Sequence, residues 1–417
     1  MKILVFIIIA LNILVLIKRK RILSSASMWL FCYSLIYILT PIITTEEYPN
    51  ESIIDIFSLV GVVSFSIGQL IGNKIKIKEK NKKNNNKIIE KYNVKLIVFL
   101  YILITVISAA TLIATIGIGT AQRLIAGSIT SKQIALNNSS TGMIIFGILQ
   151  NLQAALLIIM FLVPEKNKAK LILLALFLIQ NIFFSFTRIF IVCVLIILVM
   201  HWTRNLKTKK QIFLISLLVI ILSIFMVSMN YVRNLGLTGN YDAKEIFKIE
   251  SIIEGTDFKY AYKYFDKLIS KGSPHIVPYA YLKPLYVIIP REIWPDKPET
   301  LNIEILKKID PEKANTGYSA ATSVLGEGYA VLGTIGVAIY PLIWGLICSY
   351  QDKKYALYKN SNNYYYLSFY YIFSTLIVIS GQRGDWSTYF VIIVWAYLLP
   401  MYIISKISGK RKLAKHE

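Results

Sequence analysis

Histidine and cysteine are the scarcest reactive residues in this chain, with three of each among 417 residues. With only His201, His275 and His416 in the chain, a multi-histidine metal site is not expected. Cys32, Cys193 and Cys348 fall within or at the end of apolar runs and lack metal-ligand spacing, so neither an outer disulfide framework nor a metal centre is expected. No two aspartates stand two apart, which removes the Asp-x-Asp metal site used by nucleotide-sugar transferases, and Asp310-Pro-Glu312 is a lone loop pair. The phosphate loop ending in Gly-Lys-Ser/Thr, the His-Glu-x-x-His zinc helix and the Gly-x-Ser-x-Gly nucleophile elbow are all missing.

Acidic residues are also few, 23 Asp and Glu against 46 Lys and Arg. Of the basic residues, 28 lie in six segments: 18–21, 73–95, 166–170, 204–210, 353–359 and the tail from Lys406. The rest of the chain is close to neutral. Apolar runs of 15 to 24 residues separate these segments and place them all on one side of a membrane. Lys and Arg beside span ends stay cytoplasmic, so that side is the inside, and the charge needs no nucleic-acid partner to explain it.

The chain is 55% hydrophobic, and its apolar runs lack the alternation of barrel strands. Backbone polar groups in lipid must pair internally, so these runs are helices. The expected fold is an all-α polytopic membrane protein with about 11 transmembrane helices, near 3–17, 26–43, 53–72, 96–117, 142–163, 171–184, 188–201, 212–230, 328–350, 364–380 and 386–405. Residues 1–230 form an N-terminal transmembrane bundle, 231–327 a long extracytoplasmic loop, and 328–417 the C-terminal helices with a basic cytoplasmic tail. The first run has four basic residues after it and one lysine before it, the reverse of a cleavable signal, and reads as an anchor with its N-terminus outside.

The Lys- and Asn-rich stretch 73–95 reads as a solvated inner linker. In the outer loop, Phe258, Ala261, Tyr262, Phe265, Leu268 and Ile269 recur at helical spacing between Thr256 and Gly272, an amphipathic helix whose stripe packs on the bundle or the membrane surface. A second short helix is expected over Leu301 to Ile309. Runs 171–184 and 188–201 form a short hairpin whose tip, Ser185-Phe186-Thr187-Arg188, does not clearly leave the membrane. The tyrosines at 364–366, 370 and 371 read as an aromatic belt at the inner boundary.

On the outer side Arg123, Arg188, Arg233, Arg291 and Arg383 sit at span ends, and each alone fits a side chain snorkelling to the interface. Four of them, Arg188, Arg233, Arg291 and Arg383, share one boundary layer. Forked guanidinium donors that never lose their charge match phosphate oxygens, so this group suits a diphosphate. Glu327 stands between two glycines at the outer end of the ninth run, and Asp385 follows Gly381-Gln382-Arg383-Gly384. A carboxylate so placed either pairs with arginine or accepts a proton. Gly326, Gly328, Gly333 and Gly336 allow a close approach, of substrate or of another helix.

Pro290-Arg291-x-x-Trp294-Pro295-x-Lys297-Pro298, followed by Gly326-Glu327-x-Tyr329-x-x-x-Gly333-x-x-Gly336, resembles the bacterial oligosaccharide repeat-unit polymerases of O-antigen and capsule, the Wzy type. Phe186-Thr187-Arg188 resembles the family's small-residue-then-arginine position without the usual glycine. The sharp motifs cover 290–336; elsewhere the resemblance is one of architecture.

The resemblance implies a glycosyltransferase of the bacterial plasma membrane that joins repeat units carried on undecaprenyl diphosphate at the outer face, without cofactor or metal. A flippase and a chain-length regulator of the same pathway would be its partners. Under that reading Arg188, Arg233, Arg291 and Arg383 hold diphosphate, with Lys297 assisting at the rim. Glu327 is the first choice for the base and Asp385 the second, with Arg291 stabilising the departing charge. Trp294, Tyr318 and Tyr329 either stack on sugars or serve as interfacial aromatics. Two alternatives stay open: an O-antigen-type ligase, which His275 in the outer loop keeps in view, and a flippase for the same lipid-linked glycan.

Overall fold

The computed structural model describes the chain apart from residues 19–22, 78–87, 121–140, 164–167, 185–188, 205, 236–257, 288, 290–292, 315–320, 360–363, 385 and 414–417. Its first half contains α1 (Lys2–Lys18), α2 (Ser25–Ile43), α3 (Glu51–Lys74), a strand β1 (Ile88–Tyr92), α4 (Val94–Ile116), α5 (Thr141–Leu162), α6 (Ala169–Phe184), α7 (Ile189–Thr203) and α8 (Thr208–Leu235). The second half contains α9 (Phe258–Lys271), α10 (Leu301–Ile309), α11 (Ser323–Leu332), α12 (Thr334–Tyr358), α13 (364–383), α14 (386–408) and β2 (Gly409–Leu413).

Among the described residues five helices are long and apolar enough to cross a membrane: α2, α3, α4, Ile145–Leu162 of α5, and α12. Apolar stretches of α6, α7 and α14 are shorter. Outward side chains on these helices are large and apolar, among them Phe99, Val106, Leu171 and Ile172, each at least 60% exposed. Such a surface is stable in lipid and not in water, so the chain is a multi-pass membrane protein.

The most extensive helix pair is α3 with α12, and glycine makes it possible. A Cβ at Gly68 would lie 2.1 Å from the Leu342 carbonyl oxygen, and one at Gly345 would lie 2.1 Å from that of Phe65. Where lipid is as apolar as the helices, close backbone approach is the main source of attraction between them. Trp29 of α2 stacks on Phe65 of α3 with ring centroids 3.7 Å apart, which ties α2 to the same pair.

The opposite end of α12 is closed by Asp352. Its Oδ1 accepts from the Ser25 amide at 2.9 Å and from the Tyr370 hydroxyl at 2.7 Å, and its Oδ2 from the Ala26 amide at 3.3 Å. The carboxylate thus caps the N-terminus of α2, where amides lack helical partners. Tyr370 and Tyr371 are buried, and Tyr370 stacks on Tyr355 at 4.0 Å. These tyrosines are core residues and not the aromatic belt expected from their sequence position, because each hydroxyl finds a partner inside the bundle.

One further expectation is corrected. The run read as one span over 328–350 is broken at Gly333, whose φ of +65° reverses the chain. α11 folds back along α12, with Gly328 and Gly336 so close that a Cβ at Gly336 would lie 1.9 Å from the Gly328 carbonyl oxygen. Close packing is therefore what this glycine pair provides. Within the stretch 73–95, β1 pairs antiparallel with β2, Ile88 opposite Leu413 and Tyr92 opposite Gly409.

In the loop region α9 and α10 occur where helical spacing places them. α9 buries Ala261, Tyr262, Phe265 and Leu268 against the bundle and stops at Gly272, φ +76°. Thr300 caps α10 by accepting from the Ile303 amide at 3.4 Å. Glu46 and Asn50, in the α2–α3 connection, hold α9 from below. Lys259 and Lys263 lie 3.3 and 3.0 Å from the Glu46 carboxylate, and the Asn50 amide donates to Asp266 at 2.9 Å.

Candidate functional site

Glu327 is fully buried on α11, one turn past a strained start. Ser323 has φ +67°, a left-handed conformation that side-chain-bearing residues rarely adopt. It is held there by two contacts: the Tyr37 hydroxyl donates to Ser323 Oγ at 2.6 Å, and the Gly326 amide donates to the same oxygen at 3.3 Å. Strain fixed from several sides is characteristic of positions where geometry matters more than stability.

The turn joining α13 to α14 is seated on this start. Gly384 has φ +82°, and a Cβ there would lie 2.5 Å from the Ser323 carbonyl oxygen. Gly381, one turn earlier, lies flat against the Trp344 ring, and Trp344 stacks obliquely on Trp386 at 4.4 Å. The turn therefore brings Arg383 and the Trp386 amide to α11. That amide donates to Glu327 Oε1 at 3.2 Å. A fourth segment arrives from the loop, where the Tyr281 hydroxyl stands near the Glu327 carboxylate and lies 2.9 Å from the Tyr340 hydroxyl of α12.

Other polar atoms around the turn are buried without a hydrogen-bond partner among the described residues: both amide atoms of Gln382, Ser380 Oγ, Thr322 Oγ1 and Trp344 Nε1. Each such group costs about 1–3 kcal/mol to bury. Their gathering beside a buried carboxylate gives this corner unused capacity to bind a polar ligand. Among the described residues no three His, Cys, Asp or Glu side chains are grouped as a metal site requires.

Of the residues singled out from sequence, the structure brings Glu327 and the turn carrying Arg383 together. Arg188, Arg291, Tyr318 and Asp385 lie outside the described residues, as does the side chain of Arg233, whose backbone ends α8. Lys297 is not at a rim. It is 9% exposed, and its amine donates to the carbonyls of Ile289 at 2.8 Å and Val287 at 3.4 Å. Trp294 is 38% exposed and packs edge-on to Tyr286, while Tyr329 packs between Phe57 and Phe265. His275, with φ +45°, sets its ring over the Gly333 break.

Sequence reading missed Tyr281, Tyr340, Ser323 and Gln382. The one signal for Tyr281 was its place in Pro278-Tyr279-Ala280-Tyr281-Leu282-Lys283-Pro284, where two prolines bracket two tyrosines.

Residues 1–412 match the family model of O-antigen polysaccharide polymerase Wzy. The chain belongs to this family. No curated protein and no solved structure matches it. Membership of the Wzy family makes the function one of the O-antigen polymerase type, a polymerising glycosyltransferase working on a lipid-linked substrate in the membrane. The corner built around Glu327 lies within the matched residues.

Proposed function

We propose that the chain joins oligosaccharide repeat units carried on undecaprenyl diphosphate, at the outer face of the bacterial plasma membrane, and that the Glu327 corner performs the transfer. The observation that carries this reading is the burial of Glu327 among three helices and a loop, bound by the Trp386 amide and with the Tyr281 hydroxyl nearby. A carboxylate kept in so dry a place, in a chain of the Wzy family, is suited to accepting a proton from a sugar hydroxyl.

In the proposed step an acceptor hydroxyl oxygen attacks the anomeric carbon of the donor glycan. The bond from that carbon to the diphosphate oxygen breaks, undecaprenyl diphosphate leaves with the electron pair, and the hydroxyl proton passes to Glu327. Arg383, with Arg188, Arg233 and Arg291, holds the donor diphosphate and stabilises the charge that grows on the departing oxygen. The leaving group is already activated, so the step requires neither nucleotide nor metal. Asp385 is the alternative base. Trp294, Tyr318 and Tyr329 are the aromatic candidates for sugar contact, with Trp294 the more exposed of the two described. The Lys297 amine is occupied by backbone carbonyls, and its role here is to hold the loop.

The lipid-linked products of a strain lacking this protein test the reading. Accumulation of single repeat units on the lipid is expected. Accumulation of full-length lipid-linked polymer would make the protein a ligase, and loss of units from the outer leaflet would make it a flippase.

A further inference from the structure

Segment 276–287, which sequence places in the outer loop, follows a descending path marked by three contacts. At its start the Ile276 amide donates to the Ala330 carbonyl at 2.9 Å, near the end of α11. Tyr281 then meets Tyr340, which stands about 9 Å along α12 from Thr334. Three residues further on, Trp395 Nε1 donates to the Pro284 carbonyl at 2.8 Å, and Trp395 stands about 13 Å along α14 from Trp386. The segment thus runs beside two apolar helices, well inside their ends.

The surroundings at that depth are apolar. Ile335, Ile339 and Ile343 form an exposed stripe on α12 that begins in its first turn. The segment has two faces of its own. Ala280, Pro284, Tyr286 and Val287 are buried against the bundle, whereas Val277, Tyr279, Leu282 and Leu285 are 57%, 62%, 54% and 76% exposed. An outward apolar face beside a helix that carries an exposed apolar stripe fits acyl chains and is costly in water.

Irregular backbone survives at membrane depth only where its polar groups are satisfied within the protein. Here Pro278 and Pro284 have no amide hydrogen to satisfy. The Val287 amide donates to the Lys283 carbonyl at 2.8 Å, and the Ile289 amide to that of Tyr286 at 3.1 Å. The Pro284 carbonyl takes the Trp395 indole, and the Val287 and Ile289 carbonyls take the Lys297 amine. This explains why a lysine is buried in the loop.

We propose that 276–287 is a re-entrant segment whose face from Val277 to Leu285 lies against the acyl chains of the bilayer, and that it brings Tyr281 to Glu327 from within the membrane. The inference stands on the packing and does not depend on the polymerase reading.

The test uses the full chain with Leu285→Cys, and separately Leu282→Cys, reconstituted in nanodiscs of phosphatidylethanolamine and phosphatidylglycerol. Lys307→Cys on α10, outside the segment, is the aqueous control. A membrane-impermeant maleimide should label positions 285 and 282 at least tenfold more slowly than 307. Bimane attached at 285 or 282 should be quenched by doxyl-labelled lipid and not by iodide. Labelling at the rate of position 307 would overturn the proposal. Protection without quenching by lipid would overturn it too, because the face would then be covered by protein.

Discussion

Glu327 and Tyr281 form one functional unit only if the Tyr281 hydroxyl matters. Tyr281→Phe keeps the ring and removes the hydroxyl that bonds to Tyr340 and stands near Glu327. A hydrogen bond to a charged partner contributes about 1.5–3 kcal/mol, so elongation should slow about tenfold to a hundredfold. Binding of lipid-linked substrate and the melting temperature should change little, and kinetics paired with a binding isotherm checks both. Glu327 itself was legible, since an acidic residue between glycines at an apolar boundary is anomalous in any membrane chain. Its partner Tyr281 was not, because tyrosine in a proline-bracketed loop is unremarkable until the loop is seen to descend. Asp352 gives no such signal in sequence: it stands beside Lys353 and Lys354 at the edge of a basic segment, while its partners in the structure include the first amides of α2.

At the scale of elements, length and apolarity were enough to place α2, α3, α4 and much of α5, because a helix in lipid has no other way to satisfy its backbone. α9 and α10 were legible from helical spacing and end signals. The break at Gly333 was not, since Gly326-Glu327-Gly328 and the run after it look continuous in hydropathy, and only the Gly328–Gly336 contact shows the fold-back. Close approach is equally decisive at α3–α12. Gly345→Leu would drive a side chain into the Phe65 backbone, and overpacking of this kind costs about 1–3 kcal/mol. The variant should melt several degrees lower in detergent by differential scanning fluorimetry. Gly147→Leu, at a position with nothing within 4 Å, should not.

At the scale of the molecule, charge asymmetry is the signal from which sequence predicts an orientation, and a small set of ion pairs holds α9 to the α2–α3 connection and to Asp310. Burial alone would raise the Glu46 carboxyl, but Lys263 and Lys259 outweigh it and hold the group below its ordinary value of 4.5. A lowered folded-state value stabilises the protein above that ordinary value, and the contribution is lost as pH falls through the folded one. The melting-temperature gap between wild type and Glu46→Gln should therefore be constant above about pH 5.5 and narrow below pH 4.5.

The central claim, that Glu327 accepts the proton in glycan transfer, is tested most directly with purified protein, lipid-diphosphate-linked repeat units and no nucleotide. Wild type should convert single units into a ladder of longer lipid-linked glycans in the presence of a metal chelator. Glu327→Gln should bind the same lipid with unchanged affinity and form no ladder. An unchanged ladder from Glu327→Gln would contradict the account and move the base elsewhere.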